Sequence, residues 1–174
     1  MSAYSDEITR AMTLLGEMEN SVFLGQAVAK PGTSMTNTLS GVPRGKLIEL
    51  PVAEEMQMGM SIGISLSGGL PISIYPRWNF LILAANQIVN HLDKIPLYSD
   101  YHPRVIIRTA IATPEPLDPG PQHLGDFGPA FRAMLKTVEV RELRYVDEIV
   151  PAYLRAARED HSTILVEETK LYAD

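Results

Sequence analysis

The sequence predicts an α/β fold: a doubly wound, mostly parallel sheet with helices on both faces. Short apolar, β-branched runs alternate along the chain with segments of helical period, the pattern of strand–helix–strand units. One run, Val105-Ile-Ile-Arg108, is continuous rather than alternating, as a strand covered on both faces should be. Glycine and proline punctuate the run ends, at Gly25, Pro51, Gly68-Gly69 and Pro76. At 174 residues the chain is long enough for one sizeable core, and without repeats or an internal boundary it reads as a single domain, 1–174.

In order, Ser5 to Glu19 is expected as a first helix. Ser5 serves as N-cap, Asp6 and Glu7 suit the positive end, and Ile8, Met12, Leu15 and Met18 lie near helical spacing. Val22 to Gly25 is a short buried strand. Gln26 to Lys46 lacks periodicity and is long for a connection, so it is a surface loop or a functional one. Leu47 to Leu50 is the next strand, and a helix follows from about Val52 to Ser67, with Glu54 and Glu55 in its first turn. Met56, Met60 and Ile64 share one face of that helix, as core or as interface. Gly59 and Gly63, four residues apart, would admit another backbone closely.

Pro71 to Tyr75 is the third strand, and Trp78 to Lys94 a long helix with Leu81, Ala84, Ala85, Ile88 and Leu92 inward. Val105 to Arg108 is the fourth strand. Ala110 to Phe127 contains Pro114, Pro116, Pro119, Pro121 and His123, and reads as a long loop leaving the end of a central strand. A short helix over Phe127–Lys136, a strand over Thr137–Val140, a helix over Val146–Glu159 with Ile149, Ala152, Tyr153 and Ala156 on one face, and a strand over Thr163–Glu167 complete the chain before a short polar tail.

Acidic residues outnumber basic ones 21 to 15, for a net charge of −6 and a pI near 5.2, which argues against nucleic acid as a partner. Cysteine is absent, excluding disulfides, thiolate metal sites and cysteine nucleophiles. No apolar run approaches the length of a membrane span, and the N-terminus lacks a basic region followed by an apolar one, so a cytoplasmic protein is expected. Dinucleotide, P-loop and nucleophile-elbow motifs are missing. The histidines at 91, 102, 123 and 161 have no metal-ligand spacing. The polar candidates left are Glu54, Glu55, Arg77, Asn79 and His123. A first-turn acid such as Glu54 is also common simply because it suits the helix dipole.

Several blocks, in register, carry a resemblance. Leu50-Pro-Val-Ala-Glu54, followed by Gly59 and Gly63, resembles the catalytic segment of the beta subunits of 2-oxoacid dehydrogenases, the thiamine diphosphate-dependent pyruvate and branched-chain types. Phe23-Leu-Gly25 resembles that family's Leu-Gly-Glu block. Trp78-Asn-Phe80 with Asn86-Gln-Ile-Val-Asn90 resembles its aromatic segment and Asp-Gln-Ile-Val-Asn, Gly120-Pro-Gln-His123 its Gly-Pro-x-His, and Glu168-Thr-Lys-Leu-Tyr172 its Pro-Lys-Arg-Leu-Tyr.

The resemblance implies a pyrimidine-binding domain of the transketolase type. In such enzymes a glutamate, matched by Glu54, hydrogen-bonds the aminopyrimidine ring nitrogen and favours the imino tautomer that activates the thiazolium. Phe80 matches the aromatic stacked on the pyrimidine and Val52 the aliphatic residue lining it. His123 matches the histidine at the substrate end, for proton transfer or stabilisation of the acyl intermediate.

Departures accompany the matches. Gln26 stands where the family has an acid, and Leu124-Gly-Asp126 follows the histidine where the family tends to serine. The family's C-terminal domain is lacking, as is the Gly-Asp-Gly motif that holds magnesium and diphosphate. The resemblance therefore implies a split enzyme. An alpha-like diphosphate-domain subunit would hold the magnesium, and a homodimer contact through the Met56/Met60 helix would sit within a heterotetramer. The substrate would be a 2-oxoacid or related ketone, in an oxidoreductase, lyase or transferase reaction. The alternatives are a non-catalytic assembly or regulatory subunit, favoured by Gln26 and the missing domain, and a generic small-molecule binding module.

Overall fold

The computed structural model describes residues 2–30, 33–115 and 118–173; Pro116 of the proline-rich loop lies outside them. Six strands form one sheet in the order β2-β1-β3-β4-β6-β5. They are β1 (Ser21–Gly25), β2 (Leu47–Glu49), β3 (Leu70–Ile74), β4 (Ile106–Ile111), β5 (Glu139–Glu142) and β6 (Thr163–Glu168). Every pairing is parallel, so all carboxyl ends meet at one edge, and the fold is the doubly wound α/β type expected.

The sheet separates two apolar layers. On one face Leu70, Ile72 and Ile74 of β3 and Ile106 and Ala110 of β4 pack against α1 (Ala3–Glu17) and α7 (Val146–Ala156). Within each strand these residues are an even number of positions apart, as the pleat requires of side chains sharing a face. On the other face Ile107, Ile164 and Val166 meet α3 (Glu54–Leu66), the helical run beginning with α4 (Trp78–Leu81), and α6 (Gly128–Met134). There the Trp78 and Phe131 rings lie 5.1 Å apart. Two further short helices, α2 (Ser34–Asn37) and α5 (Ile95–Tyr98), sit in connections; α2 gives regular structure to part of a segment without periodicity.

Several boundaries differ from expectation for identifiable reasons. α1 starts earlier, because Ser2 rather than Ser5 is its N-cap and accepts from the Ser5 N–H at 3.2 Å. α3 buries Glu54, Gln57, Met58, Ser61 and Ile62, whereas Met56 and Met60 face outward. A purely core role for the methionine stripe is thus excluded. Gly63 has open space where a side chain would sit, so no backbone among the described residues exploits it.

The long helix expected after Pro76 is broken into α4, a 3₁₀ turn at Ile82–Ala84 and a π-helical turn at Gln87–Leu92. Beyond that wide turn, Asp93 Oδ1 accepts the backbone N–H groups of Lys136, Thr137 and Val138 at 2.8, 2.7 and 3.1 Å. Those groups are withdrawn from the sheet, and β5 begins at Glu139 rather than at Thr137.

β4 runs past Arg108 because that guanidinium, fully buried, is neutralised within the layer. It meets Glu167 of β6 through Nε–Oε1 at 2.7 Å and Nη2–Oε2 at 3.0 Å. The Tyr153 and Tyr172 hydroxyls donate to the same carboxylate, and Nη2 also donates to the Tyr172 oxygen at 2.8 Å. Burial disfavours the Arg108 cation, but the adjacent Glu167 charge outweighs it and holds the pKa well above the usual value. Tyr172 therefore anchors what reads in sequence as a polar tail.

These clusters generate two tests. Glu167→Gln should cost about 3–5 kcal/mol in denaturant unfolding, because it strands a buried cation. For Asp93, burial would raise the carboxyl pKa, yet Lys94 and the three backbone donors lower it to about 2. A depressed folded-state pKa contributes stability above the unfolded value and loses it as pH falls. A contribution of about 2 kcal/mol should thus fade between about pH 4 and pH 2, and Asp93→Asn should flatten that part of the stability–pH curve.

Candidate functional site

Four of the segments singled out in the sequence emerge at the carboxyl edge of the sheet. Leu50 to Glu54 follows β2, Tyr75 to Phe80 follows β3, the loop carrying His123 follows β4, and Thr169 to Tyr172 follows β6. The residue at the tip of β1 shapes this edge: a Cβ on Gly25 would sit 2.5 Å from the Ile74 carbonyl oxygen, so only glycine lets the neighbouring strands β1 and β3 end so close.

Glu54 is the first residue of α3 and is only 8% exposed. Gln57, one turn on, locks the helix start to the sheet, its Nε2 donating to the Leu24 and Ile74 carbonyls at 3.3 and 3.0 Å and to the Ser73 hydroxyl at 3.1 Å. The Tyr75 hydroxyl donates to the Glu54 carbonyl at 3.2 Å. Burial pushes the Tyr75 phenol far above its usual pKa, with the Glu54 charge adding to it, so Tyr75 stays a neutral donor. Glu54 Oε1 is itself buried and has no hydrogen-bond partner among the described residues. Its neighbour Glu55 is exposed and accepts from Asn86 Nδ2 at 3.2 Å.

Phe80 and His123 come together, their rings stacked with centroids 5.9 Å apart and planes at 29°. His123 closes a 3₁₀ turn that Gly120 enters at φ +85°, a value that favours glycine. The Arg77 guanidinium lies 5.4 Å from the Phe80 ring centre. His123 Nδ1, Asn79 Oδ1 and Arg77 Nε are buried without partners, as Glu54 Oε1 is. Such orphaned polar atoms are uncommon in a folded interior. Trp78 Nε1, Thr109 Oγ1 and Thr163 Oγ1 are also without partners among the described residues, and the first four all stand on the segments that leave the carboxyl edge.

The structure does not join every candidate. The Glu54 and His123 side chains share no hydrogen bond, and Val52 is 66% exposed on the surface. At Gln26, the family's acidic position, no carboxylate is present. Instead Glu49 reaches the same loop and accepts the N–H groups of Ala27, Val28 and Ala29 at 2.8, 3.0 and 2.8 Å. Burial raises its pKa somewhat, but these donors win and hold it below the usual carboxylate value. Tyr75, Gln57 and Glu49 escape a sequence reading. The one clue is that Tyr75 and Glu49 each stand just before a proline-marked strand exit.

The carboxyl edge of this parallel doubly wound sheet thus carries a buried glutamate heading the helix after β2 and a stacked aromatic–histidine pair. Comparison with solved structures agrees on the fold. A split-gene transketolase chain described as an inactive β4 tetramer superposes with a TM-score of 0.71 at 19% identity, over 92% of this chain and 49% of that one. Transketolase from Campylobacter jejuni subsp. jejuni NCTC 11168 gives a TM-score of 0.76 at 16% identity, over 94% of this chain and 25% of that one. This chain thus spans about half the length of the first and a quarter of the second. No protein-family model matches the sequence, and no curated protein does. Among the described residues no helix is long and apolar enough to cross a membrane.

If the Glu54 carboxyl is kept for a ligand rather than for folding, its removal should not weaken the protein. Glu54→Leu should leave thermal stability unchanged or raise it by about 1–2 kcal/mol, whereas a structural glutamate would lose that much.

Proposed function

We propose that this chain is the pyrimidine-binding subunit of a two-part, thiamine diphosphate-dependent enzyme acting on a 2-oxoacid or related ketone. The observation that supports this most is the buried, partnerless Oε1 of Glu54 at the carboxyl edge of a transketolase-type fold. The residues present fit one end of that cofactor. Glu54 offers a dry carboxyl to a ring nitrogen, and Phe80 and Val52 offer apolar surface to a flat heterocycle. When bound, the cofactor would supply stabilisation of a carbanion next to the substrate carbonyl. Glu54 brings Oε1 to the ring nitrogen for proton sharing, in a position from which water is excluded. Tyr75 and Gln57 fix that carboxyl by fixing the first turn of α3. His123, its Nδ1 free of internal bonds, presents a proton donor or acceptor where the substrate would enter.

The diphosphate and its magnesium fall to an alpha-like partner subunit, since this chain has no Gly-Asp-Gly motif. Val52, Met56 and Met60, all exposed, and Leu83, 60% exposed, form apolar surface suited to assembly with that partner or a second copy. On this reading the isolated chain is inactive, whether or not it self-assembles. Gln26 favours a second reading, a non-catalytic assembly subunit, because any relay through an acid at that position is lost.

Activity reconstituted with the partner, thiamine diphosphate and magnesium decides between the two. Glu54→Gln should abolish turnover while leaving folding and assembly intact, a loss of roughly 10²-fold or more for a proton-transfer group. Full activity in that variant would refute the catalytic reading.

A further inference from the structure

Beside Arg77 the carboxyl edge opens into a hollow of about 300 Å³, lined by Thr33, Ser34, Met35, Arg77, Thr169 and Tyr172 among others. We infer that this hollow is an oxyanion site, in which Arg77 and the Thr169 hydroxyl receive the phosphate or carboxylate end of a small ligand whose other end reaches Phe80 and His123. The inference builds on the proposed function, but concerns a different residue and a different ligand group.

The first argument is charge. Among the described residues Arg77 is the only charged one lining the hollow, and it forms no ion pair with any of them. Its guanidinium is partly withdrawn from water, burial lowers its pKa, and no carboxylate offsets that effect. A half-buried arginine without a counter-charge is costly, and an incoming anion is the natural relief. Arg108, Arg132, Arg141, Arg144 and Arg155 by contrast all have carboxylate partners, and among the described arginines without one only Arg77 has its pKa lowered by burial.

The second argument is hydrogen bonding. Arg77 Nε is buried and partnerless. The planar fork of a guanidinium matches an oxyanion through two parallel bonds, a geometry lysine cannot supply. Of the remaining polar lining, the exposed Ser34 hydroxyl has no hydrogen bond among the described residues, and the others are engaged at least in part. The Tyr172 hydroxyl is held by Glu167 and Arg108, so that residue contributes a rigid wall. Thr33 Oγ1 accepts from Thr36 N at 3.1 Å. Thr169 Oγ1 accepts from Thr113 N at 3.2 Å and keeps its own proton for a ligand or for the Thr113 hydroxyl at 3.3 Å.

The third argument is position. The same guanidinium that faces the hollow lies 5.4 Å from the Phe80 ring, which in turn stacks on His123. An anion gripped at Arg77 is therefore attached to a ligand body directed at the candidate site. An adjoining hollow of about 230 Å³ shares Arg77 and Thr169 but is lined as well by Glu115, whose charge disfavours an anion there. That acid assigns the oxyanion to the side bounded by Thr33 and Met35.

The test uses the whole chain, with inorganic phosphate and acetate as probes, read by calorimetry and by the Nε–H resonance of Arg77. Saturable binding of either probe that shifts this resonance is expected, and whichever binds more tightly tells a phosphate terminus from a carboxylate one. Arg77→Met should weaken that binding about 10- to 100-fold, and Arg77→Lys should recover only part of it. If Arg77→Met does not fold, Arg77→Lys alone decides, because it keeps the charge and loses the fork. Binding of neither probe, or equal binding by the arginine variants, overturns the site. Glu54→Gln should bind the probe as the native chain does. Anion binding that survives without thiamine diphosphate-dependent activity would thus retain this site while removing the proposed function, and the reverse result would do the opposite.

Discussion

The buried pair of Arg108 and Glu167 is the constraint on which the rest of the molecule depends. Two full charges in the central layer of a sheet are tolerable only if each finds its opposite in good geometry. Here the fork of Arg108 meets both carboxylate oxygens, and two tyrosine hydroxyls fill further lone pairs. The partners come from different parts of the chain: β4, β6, α7 and the final turn, with the Met35 carbonyl 3.5 Å from Arg108 Nη1. One electrostatic requirement therefore draws a helix, the terminal segment and the loop after β1 to the same edge of the sheet. The hollow beside Arg77 is a by-product of that gathering, since Met35 and Tyr172 form part of its wall.

Much of this architecture can be read from the chain alone, because its periodicities are strong. The parallel sheet, the helices on either face and the inward row Ile149, Ala152, Tyr153 and Ala156 follow from spacing, and all four of these residues are buried. The resemblance to a thiamine enzyme correctly anticipates a transketolase-type fold, although neighbours below 20% identity support the fold and nothing finer. Glu54 stands out in sequence as a first-turn acid beside a proline, but its burial and its empty hydrogen-bonding capacity do not. Phe80 and His123 are separated by a proline-rich stretch, and no local pattern reveals that their rings stack.

What sequence reasoning misses shares one physical origin: polar side chains whose partners are far away along the chain. Arg108 looks like the end of a strand because a charge in a buried run has no visible reason to be there; the reason lies 59 residues on. Thr137 looks like the start of a strand by composition, yet its N–H is taken by Asp93, 44 residues earlier. The outward-facing methionines of α3 satisfy a helical period as well as inward-facing ones would, and only the packed sheet decides which stripe is buried.

That last feature has a consequence for genetics. α3 is one rigid rod of 13 residues whose inner end positions Glu54 and whose outer flank exposes Met56 and Met60. On the proposed function, contact chemistry and proton chemistry would share a single backbone. Substitutions on the outer flank would then be recovered in a screen for lost catalysis alongside those in the site itself, although they touch no ligand. Oxidation of either methionine to the polar sulfoxide would couple the redox state of the cell to the same helix.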